Sequence, residues 1–146
     1  MKLELSPFKH LIEKKISFPY WDFYFCNNLI ISEIAEGVSF KYEQAKPVID
    51  AALDYFGEDA EIAYLSNRIH SYALAPQDWL KFFGERKNIK AMAIVAYSEL
   101  DIANIILEKL FIKTHVKRHQ SLAEGLHWLS ERLPIIQFQK EEVLCA

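Results

Sequence analysis

The segment from Ile89 to Tyr97 constrains the fold of this chain more than any other, because its centre, Ala91 to Ala96, contains no polar residue. A strand without a polar face is typical of a sheet that is covered on both sides and is at least partly parallel. Parallel neighbours need crossover connections, and these are usually helices. The 146 residues and the hydrophobic fraction of 51% are sufficient for such a layered sheet, so we predict a single domain over residues 1–146.

A β-hairpin is predicted to precede the crossover units. Residues 22–26 and 29–34 are rich in aromatic and β-branched side chains, and Asn27 and Asn28 lie between them. Two such runs with a short Asn-rich joint indicate a hairpin, because Asn tolerates the positive φ of a tight turn.

The first crossover helix is predicted from Lys41 to Phe56. Its apolar residues recur at helical spacing and form one stripe, which consists of Ala45, Val48, Ile49, Ala52, Leu53 and Phe56. Ser39 is a candidate N-cap and Gly57 a natural end of this helix. Pro47 either kinks the helix or moves its start to a later residue.

The rest of the chain continues this alternation of strands and helices. A strand at 62–65 and a polar turn at 66–72 are followed by a helix at 77–83, which Pro76 opens and Gly84 ends. The strand at 89–97 is followed by a helix from Ser98, in which the residues at helical spacing are Ile102, Ile105, Ile106 and Leu110. The last elements are a strand at 116–120 and a helix that is capped by Ser121 and Glu124 and ends before Pro134. Residues 1–20 and residues 135–146 are predicted to be peripheral. Within the first segment, Phe8 to Phe18 could form a short helix or a strand, and the residues from Lys14 to Phe18 favour an edge strand ended by Pro19. We therefore predict an α/β fold with an N-terminal hairpin, a mixed sheet and about four helices.

Composition disfavours several functional classes. A formal net charge of -3 weighs against binding of nucleic acid, which usually requires a basic excess. The glycines are isolated from one another, so the chain lacks a P-loop and a dinucleotide fingerprint, and no cofactor is predicted. Two cysteines, Cys26 and Cys145, are too few for a disulfide framework. Without a signal-peptide pattern or the roughly 20 apolar residues of a membrane span, we expect a cytoplasmic protein of bacterial type.

A family resemblance is carried by patterns in several segments. These are the helix stripe from Ala45 to Phe56, residues 63–68 with Tyr72, Pro76 and Trp79, the strand from Ala91 to Val95, and the closing residues 121–126 with Trp128 and Leu129. The chain resembles the STAS domain of anti-sigma factor antagonists, and more closely the uncharacterised SpoIIAA-like proteins of bacteria. The resemblance covers residues 20–133 and rests mostly on the pattern of the core.

The resemblance implies a mixed-sheet domain with four helices that binds partners and has no known chemistry. In regulatory STAS domains, a serine in an Asp-Ser-Ser-Gly-like loop, at the start of the helix after the third strand, is phosphorylated by a partner kinase. The equivalent stretch here, Asn67 to Pro76, has neither Asp nor Gly, and Ser71 is its serine. Ser71 is thus a candidate phosphorylation site whose surroundings depart from the switch motif. The similar CRAL-TRIO lipid-carrier fold implies a different function, in which an apolar ligand binds between the helices and the sheet.

The turn after the strand at 62–65 is the best candidate for a functional site, because α/β folds usually bind ligands beyond the carboxyl ends of their strands. The candidate binding residues are Asn67, Arg68, His70, Ser71, Tyr72 and Trp79. Arg68 beside a helix N-terminus would suit a carboxylate or phosphate, and His70 would suit proton transfer near neutral pH. The alternative is that Asn67 and Ser71 satisfy backbone groups of the turn, while Arg68 pairs with a nearby acid.

Neither a metal site nor a catalytic set is predicted. His115 and His119 would suit zinc on a helix, but their segment is predicted to be a strand, in which four residues span about 13 Å. We therefore predict a non-catalytic regulatory or binding module that recognises a protein partner, or forms a homodimer, with residues 66–76 as the recognition turn. The alternative is a carrier or sensor of a small apolar or lipid-like ligand. A third possibility is an enzyme that uses Arg68 and His70.

Overall fold

The computed structural model describes residues 1–85, 88–134 and 136. The strands are β1 (Lys14–Phe18), β2 (Trp21–Cys26), β3 (Leu29–Ile34), β4 (Ser39–Phe40), β5 (Ile62–Arg68), β6 (Ala73–Leu74), β7 (Ile89–Ala96) and β8 (His115–His119). The α-helices are α1 (Tyr42–Phe56), α2 (Asp78–Glu85), α3 (Ile102–Lys109) and α4 (Leu122–Arg132). Short 3-10 helices lie at Leu3–Leu5, Lys9–Leu11 and Glu99–Asp101.

Six strands form one mixed sheet in the order β1-β2-β3-β5-β7-β8. The first three are antiparallel neighbours, whereas β3, β5, β7 and β8 run parallel. The predicted hairpin joins β2 to β3, and Asn28 adopts a φ of 55° in its turn. The predicted apolar strand is β7, which lies between β5 and β8 and buries every residue from Ala91 to Ala96. The predicted α/β fold with a mixed sheet and four helices is confirmed.

The sheet carries a separate hydrophobic core on each face, because successive side chains of a strand point to opposite sides. On one side, which we call the α4 face, Leu65 and Val95 pack with Leu126 of α4. On the other side, the three-helix face, Phe25 and Ile94 belong to a core that includes residues of α1, α2 and α3. The absence of a polar face on β7 therefore reflects cover by helices on both sides.

Helix α4 approaches the sheet closely at Gly125. A Cβ atom at this position would lie 3.0 Å from Val95 Cγ2 and 3.2 Å from Leu65 Cδ1, so a larger residue would push the helix away. The predicted cap of α4 is present, because the Ser121 hydroxyl accepts a hydrogen bond from the Glu124 N–H at 3.2 Å.

Strand β5 is longer than predicted. Ser66, Asn67 and Arg68, which we expected in a polar turn, continue the strand beside Ile94–Ala96 of β7. All three are buried, and each side chain takes part in hydrogen bonds that compensate for the loss of water. The turn therefore begins at Ile69.

Helix α1 closely matches its predicted range and ends at Gly57, which has a φ of 85°. Pro47 lies inside the helix and does not end it. The predicted N-cap at Ser39 is wrong, because Ser39 pairs with Ala73 between β4 and β6. The helix instead starts after Lys41.

Helix α2 was predicted to end at Gly84, but it continues to Glu85. The Glu85 carboxylate accepts hydrogen bonds from Tyr42 and Lys46 of α1, and these contacts hold the last turn in place. A glycine lowers helix propensity without ending a helix when the neighbouring residues are held.

The N-terminal end of the chain differs from the expectation of a peripheral segment, whereas the predicted peripheral tail lies almost wholly outside the described residues. The strand near Pro19 is present as β1, but Leu3 and Phe8 are almost fully buried in the core of the α4 face. Of residues 135–146, only Ile136 belongs to the described part of the chain, and it is buried. In the described ranges, no helix combines the length and apolar character required to cross a membrane.

Candidate functional site

A polar cleft of about 390 Å³ opens between the segment after β5 and the inner side of α3. Its lining residues come from three places in the sequence and are Gly37, Arg68, His70, Ser71, Tyr72, Ala73, Leu74, Asp101, Asn104 and Glu108. Arg68 is the last residue of β5, so the cleft lies at the carboxyl end of a parallel strand. This is where α/β sheets commonly bind their ligands.

The wall of the cleft contains a buried ion pair. Arg68 donates two hydrogen bonds to the Glu108 carboxylate, from Nη1 to Oε2 at 2.5 Å and from Nη2 to Oε1 at 2.6 Å. The two side chains are only 7% and 2% exposed. This side-by-side geometry is the strongest pairing that a guanidinium makes with a carboxylate.

Neighbouring residues complete the hydrogen bonding of the pair. The Trp79 indole donates to Glu108 Oε1 at 3.1 Å, and Arg68 Nε donates to the Ser66 hydroxyl at 3.1 Å. The Arg68 guanidinium also lies 5.6 Å from the centre of the Tyr72 ring. Burial opposes the charge on Arg68, but the Tyr72 oxygen and the Glu108 carboxylate outweigh this effect and raise the pKa of Arg68.

The pairing limits what Arg68 can bind. Both charges are neutralised by each other, and the bidentate bonds occupy the end of the guanidinium that would hold a phosphate or carboxylate. An anion would have to displace Glu108 and leave that carboxylate buried without a partner, at a high cost in free energy. The ion pair therefore gives the cleft no free positive charge for an anion, and Asp101 adds a carboxylate to the lining.

The recognition turn is held in an extended conformation across the cleft. Gly37 N–H donates to the Ser71 carbonyl at 2.9 Å, and Ala73 N–H donates to the Val38 carbonyl at 2.8 Å. The Ser71 hydroxyl donates to the Asp101 carboxylate at 3.2 Å, which connects the turn to the start of α3. His70 and Ser71 remain exposed at the rim.

The structure brings together four of the six predicted binding residues. Arg68, His70, Ser71 and Tyr72 line the cleft, and Trp79 lies behind it, in contact with Glu108. For Arg68, the alternative of pairing with a nearby acid is the one observed.

Asn67 does not belong to the cleft, because it points to the opposite face of β5 from Arg68. Its amide donates to Glu33 Oε2 at 2.7 Å and to the Met1 carbonyl at 2.9 Å, and it accepts from the Tyr97 hydroxyl at 2.8 Å. Asn67 thus ties the N-terminal residues to the sheet, and the predicted site divides between the two faces.

Sequence reasoning missed Gly37 and the polar cleft residues that come from α3 or from the turn that precedes it. Asp101, Asn104 and Glu108 are spaced three and four residues apart, so they share one side of the helix. That polar stripe was the available signal. In the sequence, this stripe is indistinguishable from the solvated side of a surface helix. The contact between Glu108 and Arg68 shows that it lines the cleft.

A small apolar cavity of about 70 Å³ lies next to the cleft, between the sheet and helices α1 and α2. Tyr72 and Leu74 line both spaces, so these two side chains separate the polar cleft from the apolar cavity. Ligand pockets for drug-sized molecules usually enclose about 300–1,000 Å³. The cavity as it stands is too small for a ligand of that size.

The described residues contain neither a group of side chains suited to a metal ion nor a reactive thiol. No group of three or more His, Cys, Asp or Glu side chains there could hold a metal ion. The Cys26 thiol is buried, and burial raises its pKa to about 12. A thiol with so high a pKa is a poor nucleophile at neutral pH.

Comparison with known proteins identifies the fold. No family model and none of the curated proteins matches the chain. Among solved structures, it is similar to an uncharacterised protein of the DUF3478 family from Shewanella loihica, described as having a SpoIIAA-like fold, with 19% sequence identity and a TM-score of 0.50. The match covers 80% of this chain and 90% of the Shewanella protein. The chain therefore has a SpoIIAA-like fold, in agreement with the resemblance seen in its sequence.

Proposed function

We propose that this chain is a non-catalytic binding module that recognises a segment of a protein partner in the polar cleft. Residues 69–74 are the part of the recognition turn that contacts the partner. The observation that carries this proposal is the cleft itself, which is preformed around an ion pair whose nitrogen and oxygen atoms each take part in a hydrogen bond. A preorganised site avoids much of the cost of ordering side chains on binding.

The rim of the cleft supports recognition of a peptide segment. His70, Ser71 and Asn104 present hydrogen-bonding groups at an opening where part of the surface is apolar, from Ala73 and Leu74. Peptide segments need both kinds of contact, because their backbone groups require hydrogen bonds while their side chains fill shallow depressions.

An enzymatic role for Arg68 and His70 is disfavoured by the geometry of the cleft. Arg68 is fully engaged by Glu108, whereas His70 is exposed at the rim. The side chains of Arg68 and His70 therefore do not converge on a space from which water is excluded. An enzyme that transfers a proton and stabilises an anion would require such a space.

Recognition is proposed to be independent of phosphorylation. Ser71 lies seven residues before the start of α2 at Asp78, so it is not at the N-terminus of the helix that follows it in the chain. A phosphate on Ser71 would also lie next to the Asp101 carboxylate, to which the hydroxyl now donates. Like charges at this distance repel.

A second candidate function is the transport or sensing of a small apolar or lipid-like ligand. The apolar cavity next to the cleft favours it, since Tyr72 and Leu74 line both the cavity and the open cleft. This function requires that the two side chains move apart, because the present volume is about 70 Å³.

The two functions are tested by what the protein retains from cells of its source. The wild-type chain is purified from its own host under native conditions and examined by native mass spectrometry. A protein partner appears as a complex of discrete mass, whereas a carried ligand adds a small mass that organic extraction removes. A bare chain in every preparation would count against both functions.

Substitutions at the rim assign the binding to the cleft. Ser71→Asp places a second negative charge beside Asp101, and we expect it to abolish retention of the partner. The matched control is Lys117→Asp, since Lys117 is exposed on β8, on a different strand from the cleft. Equal retention by both variants would show that the partner binds elsewhere.

A further inference from the structure

Helix α3 has aliphatic residues on both of its sides. Its inward side carries the buried Ile105 and Glu108, and Asp101 at its N-terminal end is buried as well. Its outward side carries Ile106 and Leu107, followed by Leu110 at its C-terminal end, and these are 59%, 50% and 71% exposed. A surface helix normally keeps its aliphatic residues inward and its charged residues in water.

The exposed apolar residues form a continuous stripe. Ala103, Ile106, Leu107 and Leu110 are spaced three, four and seven residues from the first, so they share one helix side. All four are exposed. Single exposed aliphatic residues are common on protein surfaces, but a contiguous group marks an interaction surface.

We propose that this stripe is a docking surface for a second copy of the chain, with the two α3 helices packed antiparallel about a two-fold axis. The stripe is complementary to itself in that orientation. Its midpoint lies between Ile106 and Leu107, so Ile106 of one copy faces the partner's Leu107. The small Ala103 then faces the partner's Leu110 and leaves room for that larger side chain.

Charges near the helix ends favour the same orientation. Glu99 precedes α3 with a side chain that is 80% exposed and lies 4.0 Å from Arg118, whereas Lys109 and Lys113 are exposed near the C-terminal end of the helix. Antiparallel packing brings Glu99 of one copy towards the partner's Lys113, and it also aligns the helix dipoles favourably. Parallel packing would place like charges together. The stripe and these charges lie outside the proposed recognition cleft, so the inference does not depend on the proposed function.

The oligomeric state of variants tests the surface. We expect the purified wild-type chain to dimerise reversibly as its concentration rises, when its mass is followed by sedimentation velocity. Leu107→Glu places a charge at the centre of the stripe and is expected to raise the dissociation constant by at least about tenfold. The matched control is Leu80→Glu, which alters a residue of α2 that is 45% exposed and outside the stripe, and it should dimerise as the wild type does.

Several outcomes would overturn the proposal. A wild-type chain that stays monomeric at high concentration assigns the stripe to another occupant. A dimer that survives Leu107→Glu places the interface elsewhere. Circular dichroism of each variant shows that it folds, and a second variant, Ile106→Lys, must give the same result if Leu107→Glu fails to fold.

Cysteine cross-linking tests the orientation of the helices. The experiment uses a Cys145→Ser background, and the remaining Cys26 is buried. In an antiparallel dimer, an equimolar mixture of Ala103→Cys and Leu110→Cys chains forms the mixed disulfide on mild oxidation, and neither variant alone cross-links efficiently. Efficient cross-linking of each variant with itself would indicate parallel packing and would contradict the proposed arrangement.

Discussion

The two faces of the sheet solve the problem of burying the same strands in different ways. On the α4 face, one helix lies so close to the strands that a Cβ atom at Gly125 would lie within 3.2 Å of Val95 and Leu65. On the three-helix face, the apolar cavity and the polar cleft lie between several elements, and a buried ion pair replaces part of the apolar packing. The comparison teaches that stability on one face depends on shape, whereas on the other it depends on a polar network that also forms the candidate site.

The largest expected effect comes from breaking the ion pair on the three-helix face. Glu108→Ala leaves Arg68 charged and buried without a partner, and we expect a loss of about 3–5 kcal/mol in the free energy of unfolding. Urea unfolding measures this value. Arg68→Ala should lower the free energy of unfolding by a similar amount, because it leaves Glu108 charged and buried without a partner.

Two controls separate the pair from its individual charges. The double variant Arg68→Met with Glu108→Leu should lose less stability than either single alanine variant, because no charge then remains buried. Glu131→Ala, on the exposed side of α4, should change stability by less than about 0.5 kcal/mol. If Glu108→Ala were as stable as the wild type, the stability of the three-helix face would not depend on the ion pair.

The next effect concerns Trp79, which is 6% exposed and packs against Tyr64 and Phe82 with ring centres 6.1 and 5.0 Å away. Trp79→Ala should destabilise the chain by about 3 kcal/mol or more, because it removes a large ring from the core. Trp79→Phe keeps most of the packing but loses the hydrogen bond to Glu108, at a cost of about 1–2 kcal/mol. Equal losses for both variants, measured by urea unfolding, would mean that the hydrogen bond dominates.

A smaller effect is expected on the α4 face. Gly125→Val places side-chain atoms where Val95 and Leu65 already lie, and overpacking of this kind costs about 1–3 kcal/mol. The matched control is Gly84→Ala in α2, where an added Cβ meets no atom within 4 Å. That substitution should leave the thermal midpoint unchanged or raise it, because alanine favours helix by about 0.5–1 kcal/mol over glycine.

The smallest effect concerns pH and the edge of the α4 face. His119 is 6% exposed beside Trp128, and burial, helped by Lys117, lowers its pKa from the ordinary 6.5. The unfolded chain therefore takes up this proton first, so the contribution of His119 to stability is present above pH 6.5 and is lost as the pH falls towards its lower folded value.

Replacement of His119 tests this sign. His119→Gln should flatten the fall in stability below pH 6.5, when urea unfolding is repeated across the mildly acidic range. His115→Gln, an exposed change on the same strand, serves as the control. A steeper fall after His119→Gln would show that the assigned direction is wrong.

Local patterns in the sequence predict the framework of the fold but not the wall of its site. Strand β7 and the hairpin at Asn28 are recognisable because their signals lie within a few neighbouring residues. The ion pair is not, since Arg68 and Glu108 are 40 residues apart and meet only when α3 lies across the end of β5. The same contact explains why β5 extends through Arg68, which a local pattern places in a turn.

The orientation of α3 could not be predicted for a related reason. Its apolar spacing indicates a helix, but Ile106 and Leu110 are exposed while Glu108 is buried. The inward side carries Ile105 as well as Glu108, and the ion pair with Arg68 compensates for the burial of the Glu108 charge.

The short pair of strands β4 and β6 makes the opening of the recognition turn measurable by hydrogen exchange. Opening the recognition turn requires the bonds from Gly37 N–H to Ser71 and from Ala73 N–H to Val38 to break. Exchange of these two amide protons with deuterated solvent therefore reports how often the turn leaves the cleft by local opening. The rate of that opening limits only a ligand that has to pass behind the turn, because the cleft itself is already open to solvent.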